Sequence, residues 1–260
     1  NHVVLIAPRR YGKSSLSHQV TERWISPQSK RMGVGISLYS AYDESAAVQL
    51  IVTGAQKAIN KIMPLMPDME AIQKFLKSFS GLGFEAGLKT DGIGFGIKFD
   101  LERKSAKPLD ITSIGAILTK MDDLAHSLGW KIVFEMDEFQ EIASLKHGKS
   151  IEAQIRDAVQ FSVATSYIFL GSNRHMLEQM FTDSSRPFFS MCHSIRLNRI
   201  EAVHYQKHIG DASRVNWNTE MDIELLDLIL SLTERHPFYV NSLCHELWKQ
   251  EKVPVRSDVL

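Results

Sequence analysis

Apolar and polar positions along the chain fall into two alternating rhythms. Val3 to Ile6 is a β-branched run with no polar break, the pattern of a strand buried on both faces. Beyond a polar loop, Leu16, Val20 and Trp24 recur every four residues and predict a helix with those three on its apolar face. "GVGISLYS" reads as a second strand. Ser40 and Asp43 then form an S-x-x-D capping signal ahead of a helix carrying Leu50, Ile51, Ala55, Ala58, Ile59 and Ile62. After Pro64 and Pro67 a further helical segment runs to near Ser80.

Residues 80–103 break the rhythm. Glycines recur there, "KTDG" signals a turn, and Ile93, Phe95, Ile97 and Phe99 alternate. A glycine-rich run invites a nucleotide-cradle reading, but no helix follows it, so it reads as an inserted β-hairpin. Ile114, Ile117, Leu118, Met121, Leu124 and Leu128 then mark a long amphipathic helix, with Gly129 as its stop. The strand "KIVFEM", the acids of "DEFQEI", a helix around Ala153 to Phe161 and the strand "SYIFLGSN" follow. "RHMLEQMF" is helical, "HSIRLN" is a short strand, and everything from Glu201 onward is helical, broken near Arg214 to Asn218 and at His236-Pro237. Strands alternating with helices predict an α/β fold: a parallel sheet flanked by helices, with the hairpin inserted and a C-terminal helical subdomain.

Composition narrows the partners. The 260 residues carry 30 basic and 30 acidic side chains, so no overall field draws the chain to nucleic acid or membrane. No apolar run approaches the roughly 20 residues of a membrane helix. Two cysteines, Cys192 and Cys244, are too few for a disulfide scaffold and suit a reducing, cytoplasmic setting. Both ends read as cut from a longer chain.

Chemistry enters at residues 7–14, A-P-R-R-Y-G-K-S, set between the first strand and the first helix. The phosphate-loop pattern is G-x-x-x-x-G-K-[ST]; its backbone N–H groups and the following helix N-terminus cradle phosphate oxygens. Gly12 permits a positive φ, Lys13 reaches the β- and γ-phosphates, and the Ser14 hydroxyl ligates Mg²⁺. Ala7 stands where the pattern has glycine, tolerable if its φ stays negative. Pro8, Arg9, Arg10, Tyr11 and Ser15 complete the expected ATP-binding loop. The strand "IVFEM" ends in Asp137 and Glu138: Asp137 as a Mg²⁺ ligand, direct or through water, and Glu138 as the general base for the attacking water. Glu135, inside that strand, is unusual for a buried strand; it faces a solvated edge or pairs with a basic residue. At the end of "YIFLGSN", Ser172 or Asn173 senses the γ-phosphate, or the pair is a plain loop cap.

In this order, "APRRYGKSSL", "DEFQEI", "FLGSNRHMLEQMF" and "HPFYVNSLCHELW" resemble the prokaryotic ATPases called archaeal-type ATPases, placed with the STAND branch of P-loop NTPases near AAA+ proteins. The likeness spans most of the chain in four blocks. It implies a P-loop ATPase core over 1–199, with the hairpin at 80–103, and a helical lid over 200–260 leading into a winged-helix domain. It also implies that His236 and Pro237 lie near the adenine and phosphates. Arg235 stands where related ATPases have glycine. Met191 stands where family members carry an arginine after an aromatic-glycine pair, so an arginine finger acting in trans is missing at that point. Arg174, Arg186 and Arg196 are the substitutes on offer, and nothing in the sequence selects one. ATP and ADP with Mg²⁺, an attached or partner effector domain, and optionally a second copy of the chain are the partners this resemblance implies.

Other patterns carry less. Glu201, His204, His208 and Asp211 share a helical face; H-x-x-x-H binds zinc elsewhere, but a polar lid surface accounts for this one. Phe238, Tyr239, Leu243, Leu247 and Trp248 form an apolar stripe suited to core packing or domain docking. The leading functional reading is an ATPase acting as a nucleotide-driven conformational switch. The alternative is an AAA+-like DNA-remodelling or loading ATPase with a winged-helix domain, against which the neutral charge weighs. A small-molecule phosphotransferase is a weaker third, lacking an evident acceptor pocket.

Overall fold

In the computed structural model, which describes residues 1–79, 84–90, 97–103 and 110–259, the two rhythms become alternating strands and helices. In chain order they are β1 (Val3–Ile6), α1 (Lys13–Trp24), β2 (Arg31–Ser37), α2 (Glu44–Ile62), α3 (Met69–Lys77), β3 (Phe84–Thr90) and β4 (Ile97–Arg103). Then come α4 (Thr112–Ser127), β5 (Lys131–Asp137), α5 (Gly148–Phe161), β6 (Thr165–Gly171), α6 (Arg174–Thr182), β7 (His193–Arg196), α7 (Ala202–Trp217), α8 (Ile223–Leu232) and α9 (Pro237–Leu247). Residues 1–6 with 14–195 form one compact unit, and residues 7–13 with 196–260 form another.

In the first unit the sheet order is β2-β5-β6-β1-β7. The β1–β6, β5–β6 and β2–β5 pairs all run parallel, so their connections are crossovers through helices. The carboxyl ends of β5, β6 and β1 therefore lie side by side, where open α/β sheets bind ligands. Helices pack on the sheet through Ile51, Ile59, Ile114, Leu118, Ile151 and Ile155, none more than 1% exposed. An aromatic cluster fills the core around Phe169, whose ring centroid lies 4.5 Å from that of Phe139 and 5.0 Å from that of Phe188. In the second unit Tyr205, Ile209, Leu226, Ile229, Val240 and Leu247 make a separate core.

β3 and β4 pair antiparallel, from Phe84 opposite Arg103 to Thr90 opposite Ile97, as the inserted hairpin requires. Ile93, Phe95 and the Asp91-Gly92 half of the "KTDG" turn lie outside the described residues, as does Ser80; α3 itself ends at Lys77. Gly129 stops α4 with φ +70°, and Trp130 N donates to Ala125 O at 2.8 Å, a Schellman-type closure.

Two sequence expectations are corrected. The cap of α2 is Asp43, whose carboxylate accepts from Ala46 N at 2.7 Å; Ser40 lies ahead of the helix, and Asp43 is nearer its first free N–H groups. The second correction concerns α1. Leu16 and Val20 are 42% and 55% exposed, whereas Lys13, Ser17 and Thr21 are buried. The helix turns a polar stripe inward because β5 offers it a polar partner: Thr21 Oγ1 donates to the Glu135 carboxylate. Glu135, on a strand inside the sheet, thus pairs with a hydroxyl and, among the described residues, with no base.

Candidate nucleotide site

Residues 7–13 and 196–260 supply the first group of candidates. The ammonium of Lys13, a residue 6% exposed, donates to Ala7 O and Pro8 O, each at 3.1 Å. The turn around it needs two left-handed residues, Arg10 at φ +64° and Gly12 at φ +79°. Among the described residues, its chain neighbours aside, no atom stands within 4 Å of where a Gly12 Cβ would be, so the backbone angle calls for glycine. Ala7 is buried and has no positive φ, so its methyl carries no backbone strain. Arg9 is exposed, and the Arg10 guanidinium lies 4.3 Å over the Phe238 ring. The Tyr11 ring meets His236 edge-on at 4.8 Å, and His236 packs on Tyr239 at 4.8 Å. His236 Nδ1 is buried and has no hydrogen-bond partner among the described residues. Pro237 opens α9 where a missing N–H costs nothing. Just before them Glu234 and Arg235 hold φ +48° and +57°, so Arg235 adopts the conformation that a glycine takes freely. Arg199, which sequence reading passed over, donates to Glu234 Oε2 at 2.6 Å and bonds Tyr11; these contacts raise its already high pKa further.

The second group lies at the carboxyl edge of the sheet. Ser14 Oγ donates to Asp137 Oδ2 at 2.7 Å, joining residues 123 apart in sequence. Asp137 Oδ1 accepts from Glu138 N at 2.9 Å. Glu138 itself is left-handed, φ +53° and ψ +41°, a strain of the kind concentrated at functional sites. Its Oε2 accepts from Ser172 N at 3.1 Å, Ser172 Oγ at 2.9 Å and Gln140 Nε2 at 2.6 Å. Asn173 caps α6, accepting from Met176 N at 3.2 Å. Ser15 is exposed.

Of the three arginines, Arg186 is engaged: its guanidinium pairs with Glu152, whose side chain is fully buried. Arg174 and Arg196 are exposed. On the α7 face, Asp211 takes Lys207 at 2.6 Å and Arg214 at 2.8 Å. Among the described residues no helix is long and apolar enough to cross a membrane.

No protein-family model and no curated protein matches the sequence. Solved structures do match. A Walker-type ATPase of Pyrococcus abyssi aligns at TM-score 0.57 and 18% identity, over 96% of this chain and 64% of that one. The ORC1 protein of Aeropyrum pernix, solved in complex with DNA, gives TM-score 0.59 and 11% identity, over 100% and 58%. The ORC2 protein of Aeropyrum pernix, in ADPNP–ADP complexes, gives 0.56 and 12%, over 99% and 61%. The fold is that of the P-loop AAA+ ATPases. The chain spans less than two thirds of the length of these three structures.

In this P-loop fold residues 7–12 follow β1, Asp137 ends β5 and Glu138 comes directly after it, and β6 lies between β1 and β5 in the sheet. Sequence reading missed Gln140, Thr21 and Arg199. Gln140 had a signal, two residues beyond Glu138 in "DEFQ". Thr21 and Arg199 had none, because only tertiary folding brings them to Glu135 and Tyr11.

Proposed function

We propose that this chain is an archaeal-type, STAND/AAA+-like ATPase that binds ATP with Mg²⁺, hydrolyses it, and acts as a nucleotide-driven conformational switch. One observation carries the reading: the 2.7 Å hydrogen bond between Ser14 and Asp137, a hydroxyl in the first turn of α1 and a strand-end carboxylate. Both are hard oxygen donors of the kind that suits Mg²⁺, and both would hold it. Held there, Mg²⁺ would supply neutralisation of phosphate charge. Lys13 exchanges its carbonyl acceptors for phosphate oxygens, and the backbone N–H groups of the loop, which Pro8 lacks, receive the rest. Glu138 takes a proton from the attacking water. Ser172, bonded to Glu138, is assigned to sensing the γ-phosphate. His236 and Pro237, beside Tyr11, are assigned to nucleotide contact. We assign residues 1–199 to the ATPase core and 200–260 to a helical lid. The absence of arginine at Met191 predicts slow basal turnover, since such a finger is worth about 10³–10⁵ in rate.

Equilibrium binding and steady-state hydrolysis of Mg·ATP test this. Lys13→Ala should abolish binding, and Glu138→Gln should bind without turning over. Binding that survives Lys13→Ala sinks the loop assignment. A second reading, a DNA-loading ATPase, draws support from the likeness to an ORC1 protein solved on DNA. Tight duplex-DNA binding that weakens steeply with salt would favour it.

A further inference from the structure

Gln140 is a buried polar residue without a structural reason of its own. The residue is 2% exposed. Both hydrogens of its Nε2 have acceptors, Glu138 Oε2 at 2.6 Å and Glu141 Oε1 at 3.0 Å. Turning the amide over would set its oxygen against two carboxylates, so the orientation is fixed by charge. The amide oxygen, in contrast, is buried and has no hydrogen-bond partner among the described residues. An unpaired buried acceptor destabilises, and leucine or methionine would fill this volume without one. What the amide supplies is the bond to Glu138. The backbone at Glu138 is left-handed, so the chain alone does not hold this side chain in an ordinary strand-end geometry. Ser172 and Gln140 approach the same carboxylate oxygen from β6 and from the turn after β5.

The amide has a seat of its own. A Cβ built on Gly171 would stand 2.0 Å from Gln140 Oε1 and 3.1 Å from its Cδ, so only glycine at the end of β6 leaves room for this rotamer. Gly171 has no positive φ, so alanine there meets no backbone penalty. What it meets first is the movable end of the glutamine.

We propose that Gln140, seated against Gly171, is a positioning residue that orients the Glu138 carboxylate for proton abstraction. The proposal rests on the ATPase reading above and adds to it a residue and its seat. Loss of a partner that orients a catalytic ligand typically costs about 10–100-fold, and we expect kcat to fall by that order while Mg·ATP affinity stays put.

The test compares Gln140→Met, Gly171→Ala and the double variant with the parent and with Glu138→Gln. Each is assayed for kcat, for the dissociation constant of Mg·ATP, and for thermal midpoint. Both single variants should lose about tenfold or more in kcat with unchanged binding, and the double variant should be no worse than the poorer single, because both act on one contact. Unchanged kcat in folded Gln140→Met overturns the proposal. So does a loss of ATP affinity in proportion to kcat, which marks a general structural role. If Gln140→Met fails to fold, Gly171→Ala decides alone, by the same kcat criterion. Glu138→Gln separates the two levels: if it turns over normally, the general-base reading fails and the positioning role falls with it. If it is dead while the Gln140 and Gly171 variants are fully active, only the positioning role fails.

Discussion

Glu152 is fully buried on α5, and burial raises its pKa to about 7, partly countered by the Arg186 guanidinium paired with it. The consequence for stability has a definite sign. The folded chain holds this proton up to about pH 7, whereas the unfolded chain releases it near the ordinary 4.5. Between those values the folded state binds more protons, so this group's contribution to stability falls as pH rises. Relative to Glu152→Gln, the parent should lose stability from pH 5 to pH 7 and level off above. Urea midpoints of both proteins across that range measure it, and parallel curves would refute it. The pair also bears on an open choice in the sequence: with Arg186 tied to Glu152, it is engaged inside the fold. Ser172 and Asn173 were likewise indistinguishable as letters. Their difference lies in partners from other elements, Glu138 for one and the α6 backbone for the other.

At the scale of elements, patterning was legible where the partner surface is apolar. The helix α2 carries nine buried residues, most of them apolar, and the sequence marks its stripe plainly. The helix α1 defeats the same rule. Its apolar positions Leu16 and Val20 face outward, because Thr21 answers a carboxylate 114 residues away. Periodicity reports which residues are apolar; it does not report what the opposite surface offers. Caps obey shorter-range rules and are easier to test. Asp43 accepts from Ala46 N at 2.7 Å and stands at the positive end of the α2 dipole. Asp43→Ala should cost about 1 kcal/mol in denaturant unfolding. Asp43→Asn should cost a few tenths at most, and a full loss with asparagine would mean that charge outweighs the hydrogen bond.

For the whole molecule, the sequence displayed strands and helices in order but not the order of strands in the sheet. That β6 lies between β1 and β5 follows from register and crossover, and it is what sets Ser172 between the strand ends that carry the loop and the acids. The paired acids and the loop were legible because each is a local run; the contacts made by Gln140 and Arg199 depend on the folded chain. A ligand held by the folded chain alone stabilises it by about 2.7 kcal/mol at a hundredfold excess over its dissociation constant. In a chain of this size each kcal/mol raises the thermal midpoint by about 2–4 °C, so saturating Mg·ATP should raise it by about 5–11 °C. Lys13→Ala should abolish the rise, and Glu138→Gln should keep it, since proton abstraction is no part of binding. Duplex DNA added in place of nucleotide gives the contrasting arm. A rise with DNA that vanishes between 50 and 200 mM salt, beside none with Mg·ATP, would move the chain from nucleotide switch to phosphate-backbone binder, because only counterion release carries so steep a salt dependence.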